Sequence, residues 1–160
     1  MTNKYKLETE IKIRPAEIDE LERLKEIEQL IIQAEHDFER NFRDGEIFYY
    51  DLEALINSND AIVLVAESEG EIIATGYAKI KPSLDYLLDD IHAYLGFMFV
   101  EPEFRGKGVI QDIIRELISW SKLKGMTVVC LEVLNKNDSA IKAYKQLGFE
   151  KNLVEMRLDL

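Results

Sequence analysis

The chain has 160 residues, of which 47% are hydrophobic and 32% charged, and its net charge is −11 at pH 7. At this length a chain buries roughly 70% of the surface that it exposes when unfolded, so we expect one domain over residues 1–160 that needs no disulfide or structural metal. No apolar run approaches the ~20 residues of a membrane span, and the amino terminus lacks a signal-peptide stretch. The single cysteine cannot form an internal disulfide. We therefore expect a cytoplasmic protein without membrane contact.

The negative charge is concentrated near the amino terminus. Residues 17–53 contain thirteen acidic and four basic residues, a net charge of −9, whereas residues 101–160 have a net charge of +1. Nucleic acid requires a basic surface, so we expect no nucleic-acid partner. The acidic segment, which has Phe48, Tyr49 and Tyr50 close to its end, favours a small cation or a basic peptide. The alternative is that these charges only keep a helix face solvated.

The first half of the chain predicts one strand, two helices and a β-hairpin. Alternating apolar residues indicate strands, and apolar residues three to four positions apart indicate helices. Glu69 and Gly70 are typical of a hairpin turn. In chain order the predictions are a strand over 5–13, a helix from Ile18 to Ile31, a helix around 48–57, and strands over 61–66 and 72–80.

The second half predicts alternating strands and helices. Gly125 and Gly148 are typical of helix ends, and the β-branched segment 127–134 is typical of a buried central strand. Cys130 lies in that strand, where a thiol behaves as a small hydrophobic group. The predicted elements are a strand over 94–100, a helix over 109–124, a strand over 127–134, a helix from Asn137 to Leu147, and a closing strand over 153–160.

A glycine turn joins the strand over 94–100 to the next helix, in the segment Val100-Glu-Pro-Glu-Phe-Arg-Gly-Lys-Gly108. The first turn of a helix has unpaired N–H groups and the positive end of the dipole, and glycines let an anion approach them. A nucleotide P-loop would need Ser or Thr after its Gly-Lys, and a dinucleotide fingerprint would need a third glycine where Gln111 stands. By itself the turn indicates either a phosphate site or a tight connection.

Two blocks of residues extend this motif. They are Val100-x-Pro102-x-x-Arg105-Gly106-x-Gly108 and Leu131-x-Val133-x3-Asn137-x2-Ala140-x3-Tyr144-x3-Gly148-Phe149. In this order and separation the blocks resemble the GNAT superfamily of N-acetyltransferases over residues 93–150. The resemblance implies an α/β (α+β) fold with a mixed, mostly antiparallel sheet of 6–7 strands, flanked by about four helices. It also implies that the sheet splays between the strands over 94–100 and 127–134, and that acetyl-CoA or a related acyl-CoA is the donor.

The resemblance further implies a donor site built largely from backbone. The glycine turn would wrap the pyrophosphate, and the preceding strand would offer backbone groups to the pantetheine arm and one N–H to the thioester carbonyl. Asn137 would contact the cofactor arm, although a plain N-cap serves the same position. The implied donor-binding residues are Met98, Phe99, Val100, Arg105, Gly106, Lys107, Gly108, Val109, Ile110, Asn137 and Tyr144.

Two of these residues leave alternatives open. The family most often has Gly or Ala where this chain has Ile110, so the Ile side chain either crowds the phosphates or joins the apolar stripe of Ile113 and Ile114. We expect the second arrangement. Tyr144 matches the position whose phenol protonates the departing thiolate, which makes it the implied catalytic residue. The alternative for Tyr144 is a core aromatic.

The acceptor amine must lose a proton before it attacks, because an alkylammonium has a pKa near 10.4. The resemblance assigns no residue of this chain as the general base. The candidates are His92, Asp89, Asp90 and Glu132 near the donor strand, and Glu35, His36 and Asp37 between the first two helices. The pair of histidines and the lone cysteine do not have metal-ligand spacing, so we predict no metal.

These observations predict an acetyl-CoA-dependent N-acetyltransferase that acts on a primary amine by direct attack in a ternary complex. The acidic segment favours a cationic acceptor such as a polyamine, an aminoglycoside or a basic peptide amine. The alternative is a non-catalytic acyl-CoA-binding or regulatory protein, suggested by Ile110 and by the missing base. A module that binds no CoA would use the turn only as a connection. The resemblance also implies a homodimer, for which the closing strand would offer an edge.

Overall fold

A computed structural model describes residues 10–160, which form one mixed sheet with helices on both faces. The elements are β1 (Ile11–Pro15), a 3₁₀ turn (Ile18–Glu20), α1 (Leu21–Glu35), α2 (Leu52–Asn57), β2 (Ala61–Ser68), β3 (Glu71–Pro82), β4 (Ile91–Val100), a 3₁₀ turn (Pro102–Phe104), α3 (Val109–Leu123), β5 (Val129–Leu131) and α4 (Asp138–Gln146). The predicted class and the four helices are confirmed, but the described part of the chain has five strands instead of six or seven. The part of the first predicted strand before residue 10 lies outside the described residues. Within residues 10–160, no helix is both long and apolar enough to cross a bilayer.

The strands lie in the order β1-β2-β3-β4-β5. The first three pairs are antiparallel, whereas β4 and β5 are parallel. This last pairing joins only Ala93 through Leu95 of β4 to Val129 through Leu131 of β5. Beyond Leu95, no strand of the described residues follows β4 on that side, so the two strands diverge. The predicted splay is therefore confirmed, and we call the opening between the diverging strands the gap.

Each face of the sheet has its own core. On one face, α1 and α2 bury Leu24 and Ile27 against Tyr77 and Phe97. On the other face, α3 buries a stripe from Ile113 to Leu117. The side chains recur at the three- and four-residue spacing that places them on one side of a helix. Full burial of one such aliphatic side chain contributes about 1.5–3 kcal/mol, so the two stripes fix the helices to the sheet.

Short polar side chains set where two helices begin. Asp51 Oδ1 accepts a hydrogen bond of 3.0 Å from the Ala54 N–H at the start of α2. Asn137 Oδ1 accepts one of 3.3 Å from the Ala140 N–H at the start of α4. Both bonds satisfy an N–H group that the first turn of a helix leaves unpaired. The N-cap prediction for Asn137 is confirmed.

Two predictions for the last third of the chain are wrong. Residues 153–160 form no strand, and the segment 127–134 contributes only three residues to the sheet, at its edge rather than its centre. Cys130 is accordingly exposed. Alternating apolar residues make a strand only where a neighbouring strand supplies hydrogen bonds. Within residues 10–160, β5 has a neighbour on one side, and residues 153–160 have none.

Candidate functional site

The glycine turn lies between β4 and α3, next to the gap. Gly106 and Gly108 have φ values of +72° and +83°, a left-handed conformation that costs a residue with a side chain about 1–2 kcal/mol. A Cβ built at either glycine meets no atom within 4 Å. The backbone conformation therefore requires glycine, and the space in front of the turn is open.

Backbone donors face this open space. The Asp112 N–H is bonded to the Gly108 carbonyl oxygen at 3.1 Å, as the first closed turn of α3. The N–H groups before it have no partner within the helix, and they lie at the positive end of its dipole. Arg105 and Lys107 are exposed beside them, and Arg105 Nε donates to the Val100 carbonyl oxygen at 3.0 Å. An anion of phosphate size fits this set of donors and charges.

The two residues that open α3 point away from the turn. Val109 is buried and Ile110 is half-buried, and both pack in the core that contains Ile113. The prediction that Ile110 joins the apolar stripe is confirmed. Its side chain leaves the space before the glycines free, and only its backbone N–H faces that space.

β4 carries a bulge two residues before it ends. Phe97 and Met98 together oppose the single Gly76 of β3. Phe97 has a φ of +60°, a conformation that costs on the order of 1–3 kcal/mol for a residue with a side chain. Burial of its ring, which is 1% exposed, offsets this cost, and Thr75 Oγ1 donates to the Phe97 carbonyl oxygen at 2.7 Å.

The bulge determines which backbone groups of β4 face the gap. Phe99 pairs with β3, and the Glu101 N–H bonds to a β3 carbonyl at 2.7 Å. Because the backbone groups of a strand alternate in direction, those of Met98 and Val100 point to the opposite side, where β5 has diverged. The gap is therefore bordered by backbone donors and acceptors rather than by apolar side chains alone.

Four tyrosines line the α1 side of the gap, and we call them the tyrosine wall. They are Tyr49, Tyr50, Tyr77 and Tyr94. Successive ring centroids lie 5.7, 5.4 and 6.4 Å apart, in edge or tilted arrangements. The Tyr50 ring is also 5.4 Å from that of Phe97, and its hydroxyl accepts a hydrogen bond of 3.3 Å from the Phe97 N–H. The wall therefore contacts the bulge directly.

Glu28 of α1 holds one end of the wall in place. Its carboxylate is 1% exposed, and its Oε1 accepts hydrogen bonds from the N–H groups of Tyr49 at 2.7 Å and Tyr50 at 2.9 Å. A buried carboxylate is stable only where donors satisfy it. Nothing in the sequence pattern marks Glu28 among the many acids of α1, so sequence reasoning missed this residue.

Two further carboxylates approach the wall from opposite sides. Glu35, at the end of α1, accepts a hydrogen bond of 2.5 Å from the Tyr49 hydroxyl. Burial, and next the Glu35 carboxylate, hold the pKa of Tyr49 well above its usual value. Glu132 follows β5, and burial together with the charge of Glu132 raises the pKa of Tyr94 to about 12. The structure therefore places Glu35 and Glu132 beside the same wall, although the chain separates them widely.

The other predicted base candidates lie elsewhere. His92 Nδ1 is 3.0 Å from Ser83 Oγ, and Asp89 accepts a hydrogen bond of 2.7 Å from the Thr127 hydroxyl. His92 precedes the bulge residue Phe97 by five positions, which corresponds to about 17 Å along a strand. His92, Asp89 and Asp90 thus lie at the end of β4 that is remote from the bulge. His36 and Asp37 are exposed beyond the end of α1.

Tyr144 of α4 lies across the sheet from the wall. Its ring packs edge-on against Phe149, with centroids 6.1 Å apart, in the core under α3. Burial raises the pKa of Tyr144 to about 12, and the charge of Glu35 adds to the effect. The phenol therefore stays protonated at neutral pH and can act as a proton donor. The packing agrees with the core-aromatic alternative, and the acid role stays a prediction.

The electrostatics around the wall are mixed. Lys81 Nζ lies 3.9 Å from the centroid of the Tyr94 ring, so one face of that ring already contacts a cation. Among residues 10–160, no three His, Cys, Asp or Glu side chains are grouped so that they could hold a metal ion. The arrangement offers backbone donors, phenols and carboxylates, the groups that acid and base chemistry on an organic substrate requires.

A mixed sheet that opens beside a glycine turn, with a bulged strand along the opening, defines a class of α/β proteins with an anion site at the mouth of the gap. The sequence model of the acetyltransferase (GNAT) family matches residues 22–149. That match spans most of the chain, and the protein is a member of this family.

Similar proteins agree with this membership. An uncharacterized N-acetyltransferase from Methanocaldococcus jannaschii is 42% identical over 57 residues. The match covers 36% of this chain but only 25% of that relative, so the chain spans about a quarter of the length of its curated relative.

Solved structures share the fold. A mutant of the BH1408 protein from Bacillus halodurans has a TM-score of 0.82 at 24% identity, over 93% of this chain and 99% of that one. A predicted acetyltransferase from Clostridium acetobutylicum, solved with acetyl-CoA, has a TM-score of 0.72 at 19% identity, over 94% and 96% of the two chains. An aminoglycoside N-acetyltransferase in complex with CoA has a TM-score of 0.68 at 19% identity, over 93% and 100%.

Proposed function

We propose that residues 1–160 act as one N-acetyltransferase domain, which passes an acetyl group from acetyl-CoA to a primary amine. One observation carries the proposal: the gap separates a backbone-lined donor side, next to the glycine turn, from the tyrosine wall with its two carboxylates. Both sides border the opening that begins where β4 and β5 stop pairing, so two substrates could meet there. We propose direct transfer in a ternary complex, because burial raises the pKa of the thiol of Cys130, the single cysteine of the chain, and so disfavours the thiolate that would have to carry the acyl group.

The donor side fits acetyl-CoA in shape and in chemistry. The N–H groups from Gly106 to Ile110, with the charges of Arg105 and Lys107, would hold the pyrophosphate. The backbone groups of Met98 and Val100 would form hydrogen bonds with the amides of the pantetheine arm. The arm would thus occupy the place beside β4 that a longer β5 would fill. Phe99, Val109 and Asn137 complete the proposed donor site. The similar protein from Clostridium acetobutylicum was solved with acetyl-CoA, which supports the same donor here. Acetyl-CoA would supply an acyl thioester, which an amine attacks readily.

Two side chains would move protons. The acceptor arrives as an ammonium, and the Glu132 carboxylate takes its proton, directly or through one water. We assign this role to Glu132, because it follows β5 and lies beside Tyr94 of β4, the two strands that border the gap. The amine nitrogen then forms a bond to the carbonyl carbon as the carbon–sulfur bond breaks, and the further proton that the nitrogen loses on becoming an amide would return through water to the Tyr144 phenolate that protonation of the thiolate leaves behind. A backbone N–H beside the bulge would stabilise the carbonyl oxygen, and Tyr144 would give its proton to the departing thiolate.

We propose a cationic acceptor. Glu35 and Glu132 border the wall, and the segment 17–53 carries a net charge of −9. Part of that charge is already paired, as in the contacts of Glu20 with Arg14 and Glu26 with Arg23. Attraction between the remaining charges and the acceptor is screened by salt. The KM for a polyamine should therefore rise strongly with NaCl concentration, whereas equal activity on neutral amines would remove the electrostatic argument.

Isothermal titration with acetyl-CoA tests the donor site. Wild type should bind saturably, and an Arg105→Ala, Gly108→Asp double variant should lose that binding. Gly125→Asp is the matched control, because Gly125 has the same left-handed φ at the far end of α3 and lies away from the gap. No binding to wild type at millimolar acetyl-CoA would refute the proposal.

The second candidate, an acyl-CoA binder without catalysis, rested on Ile110 and on the absence of an obvious base. Ile110 packs in the core, and two carboxylates lie at the wall, so neither reason now favours it. A screen of amines with wild type and Glu132→Gln separates the two functions. Turnover that falls at least tenfold in Glu132→Gln supports catalysis, whereas binding without turnover on every amine supports the binder.

A further inference from the structure

An acidic residue stands where the glycine turn begins. Glu101 directly follows β4, and its carbonyl oxygen accepts a hydrogen bond of 2.9 Å from the Phe104 N–H, in the 3₁₀ turn that leads to Arg105. Its own N–H donates to the Ile73 carbonyl oxygen at 2.7 Å, so the backbone of Glu101 is held on both sides. A carboxylate beside a phosphate site repels the anion that the site should bind. The proposed donor site therefore has a charge of the wrong sign at its border.

Arg23 of α1 pairs with this carboxylate. Its Nη2 lies 2.8 Å from Glu101 Oε1, and its Nη1 lies 3.1 Å from Glu26 Oε2. Arg23 and Glu101 are 78 positions apart in the chain, so only the packing of α1 against the sheet brings them together. The Glu101 side chain is 24% exposed, whereas that of Glu26 is 67% exposed. Because solvent screens an exposed pair more strongly, the contact with Glu101 is the more significant of the two.

The position of Arg105 shows why the pairing of Glu101 matters. Arg105 Nε donates to the Val100 carbonyl oxygen at 3.0 Å, so its guanidinium lies beside the start of the turn, where Glu101 stands. The ion pairs within residues 10–160 include none between Arg105 and Glu101. A carboxylate released from Arg23 could turn to Arg105 instead. That new pair would occupy the N–H donors that a pyrophosphate needs.

We propose that Arg23 is a positioning residue for the donor, which holds Glu101 so that the Arg105 guanidinium stays free for the pyrophosphate of acetyl-CoA. This inference rests on the proposed function, in which the glycine turn binds that pyrophosphate. Arg23 acts through Glu101 and Arg105, not through a contact of its own with the donor. Helix α1 then has a part on each side of the gap, because Glu28 of the same helix holds the tyrosine wall.

Isothermal titration with acetyl-CoA at low ionic strength tests this role. Arg23→Met should raise the Kd by roughly fivefold or more, and adding Glu101→Gln to that variant should bring the Kd back close to the wild-type value, because the amide has no charge with which to compete for Arg105. Glu26→Gln is the matched control, since it removes the other partner of Arg23 and leaves the pair with Glu101. Its Kd should equal that of wild type. An unchanged Kd in Arg23→Met, or no recovery with Glu101→Gln, would overturn the inference.

A donor without phosphate separates positioning from a general effect on the fold. S-acetylpantetheine has the thioester and the arm of acetyl-CoA but no pyrophosphate, so Arg23→Met should bind it as tightly as wild type does. Equal loss of affinity for both donors would show that Arg23 supports β4 as a whole, and the inference would be wrong. The Arg23 side chain is 37% exposed, so the variant should fold, as circular dichroism can verify. If wild type itself does not bind acetyl-CoA, the proposed donor site fails as well, whereas equal binding by wild type and Arg23→Met refutes only the positioning role.

Discussion

Tyr144 is packed in a core, and the proposed mechanism gives the same side chain the role of proton donor. Burial raises the pKa of Tyr144 to about 12, so the phenol keeps its proton at neutral pH. We expect Tyr144→Phe to lower kcat by up to ~10²-fold and to leave the affinity for acetyl-CoA within a few fold. The kcat of wild type should show no fall between pH 8 and pH 10 that depends on Tyr144. Unchanged turnover in the Phe variant would assign the ring to packing alone.

Glu28 is the residue on which the tyrosine wall depends. Both of its backbone contacts end on one oxygen, Oε1, so the amide oxygen of Gln can replace it. Glu28→Gln should therefore change the free energy of unfolding by less than about 1 kcal/mol. Glu28→Ala leaves two buried N–H groups without a partner and should destabilise the fold by about 2–4 kcal/mol, as measured by urea denaturation.

A surface glutamate of the same helix provides the control for this pair. Glu26 is exposed and forms only an i,i+3 ion pair with Arg23, a type of contact that contributes little. Glu26→Ala should shift the urea midpoint far less than Glu28→Ala does. Equal effects of the two alanine variants would show that the buried hydrogen bonds of Glu28 are not what stabilises the segment.

At the scale of elements, α3 has a left-handed glycine at each end. Gly108 has a φ of +83° and Gly125 a φ of +80°, and a Cβ at either meets nothing within 4 Å. Gly108→Ala and Gly125→Ala should each cost about 1–2 kcal/mol of stability. Only Gly108→Ala should also weaken acetyl-CoA binding, by calorimetry, because only that Cβ enters the proposed phosphate site. Equal loss of affinity in both variants would trace the effect to the helix as a whole.

The elements that local patterns specify were predictable from the sequence. The stripe of α3, the cap at Asn137 and the hairpin turn at Glu69 and Gly70 all depend on residues close together in the chain, and each appears where its pattern indicates. The length of β5 and the absence of a strand over residues 153–160 were not predictable. Both depend on which strand lies alongside, and alternation within a segment contains no information about its neighbour.

The candidate site likewise has one part that the sequence predicts and one part that depends on how distant segments pack. The glycine turn is a contiguous motif, so its place and the direction of Ile110 could be predicted. Tyr49 lies in the segment between α1 and α2, whereas Tyr77 belongs to β3 and Tyr94 to β4. Glu132 follows β5. Sequence reasoning named Glu35 and Glu132 among seven candidates for the base, but only the register of the sheet and the path of α1 separate them from His92 and Asp89.

At the scale of the whole molecule, an ion-pair network joins the first strand to the rest of the sheet. Arg14 of β1 contacts Glu20 at 2.6 Å and Glu67 of β2 at 2.7 Å. Hydrogen bonding to Arg14 holds the pKa of Glu20 below its usual value. The ionised form is thus favoured by folding, so its stabilising effect is present above the ordinary Glu pKa of about 4.3 and disappears as the pH falls through the lower folded value.

The difference in stability between wild type and Arg14→Met should therefore depend on pH. We expect it to be largest near pH 7 and to shrink as the pH falls through the lowered pKa of Glu20 in the folded state, in urea titrations at several pH values. Arg115→Met removes an exposed i,i+3 pair with Asp112 and should show little difference at any pH. A constant difference for Arg14→Met across this range would mean that the guanidinium contributes through packing alone.

The contacts of Glu28 have a consequence for the motion of the segment between α1 and α2. Residues 37–51 contain no helix or strand, so most of their amide hydrogens should exchange with solvent quickly. The amides of Tyr49 and Tyr50 should exchange slowly, since they bond to a carboxylate that is buried on α1. These two hydrogens should exchange only when α1 itself separates from the sheet. The aromatic surface that faces the gap would then keep its shape while the chain before it moves.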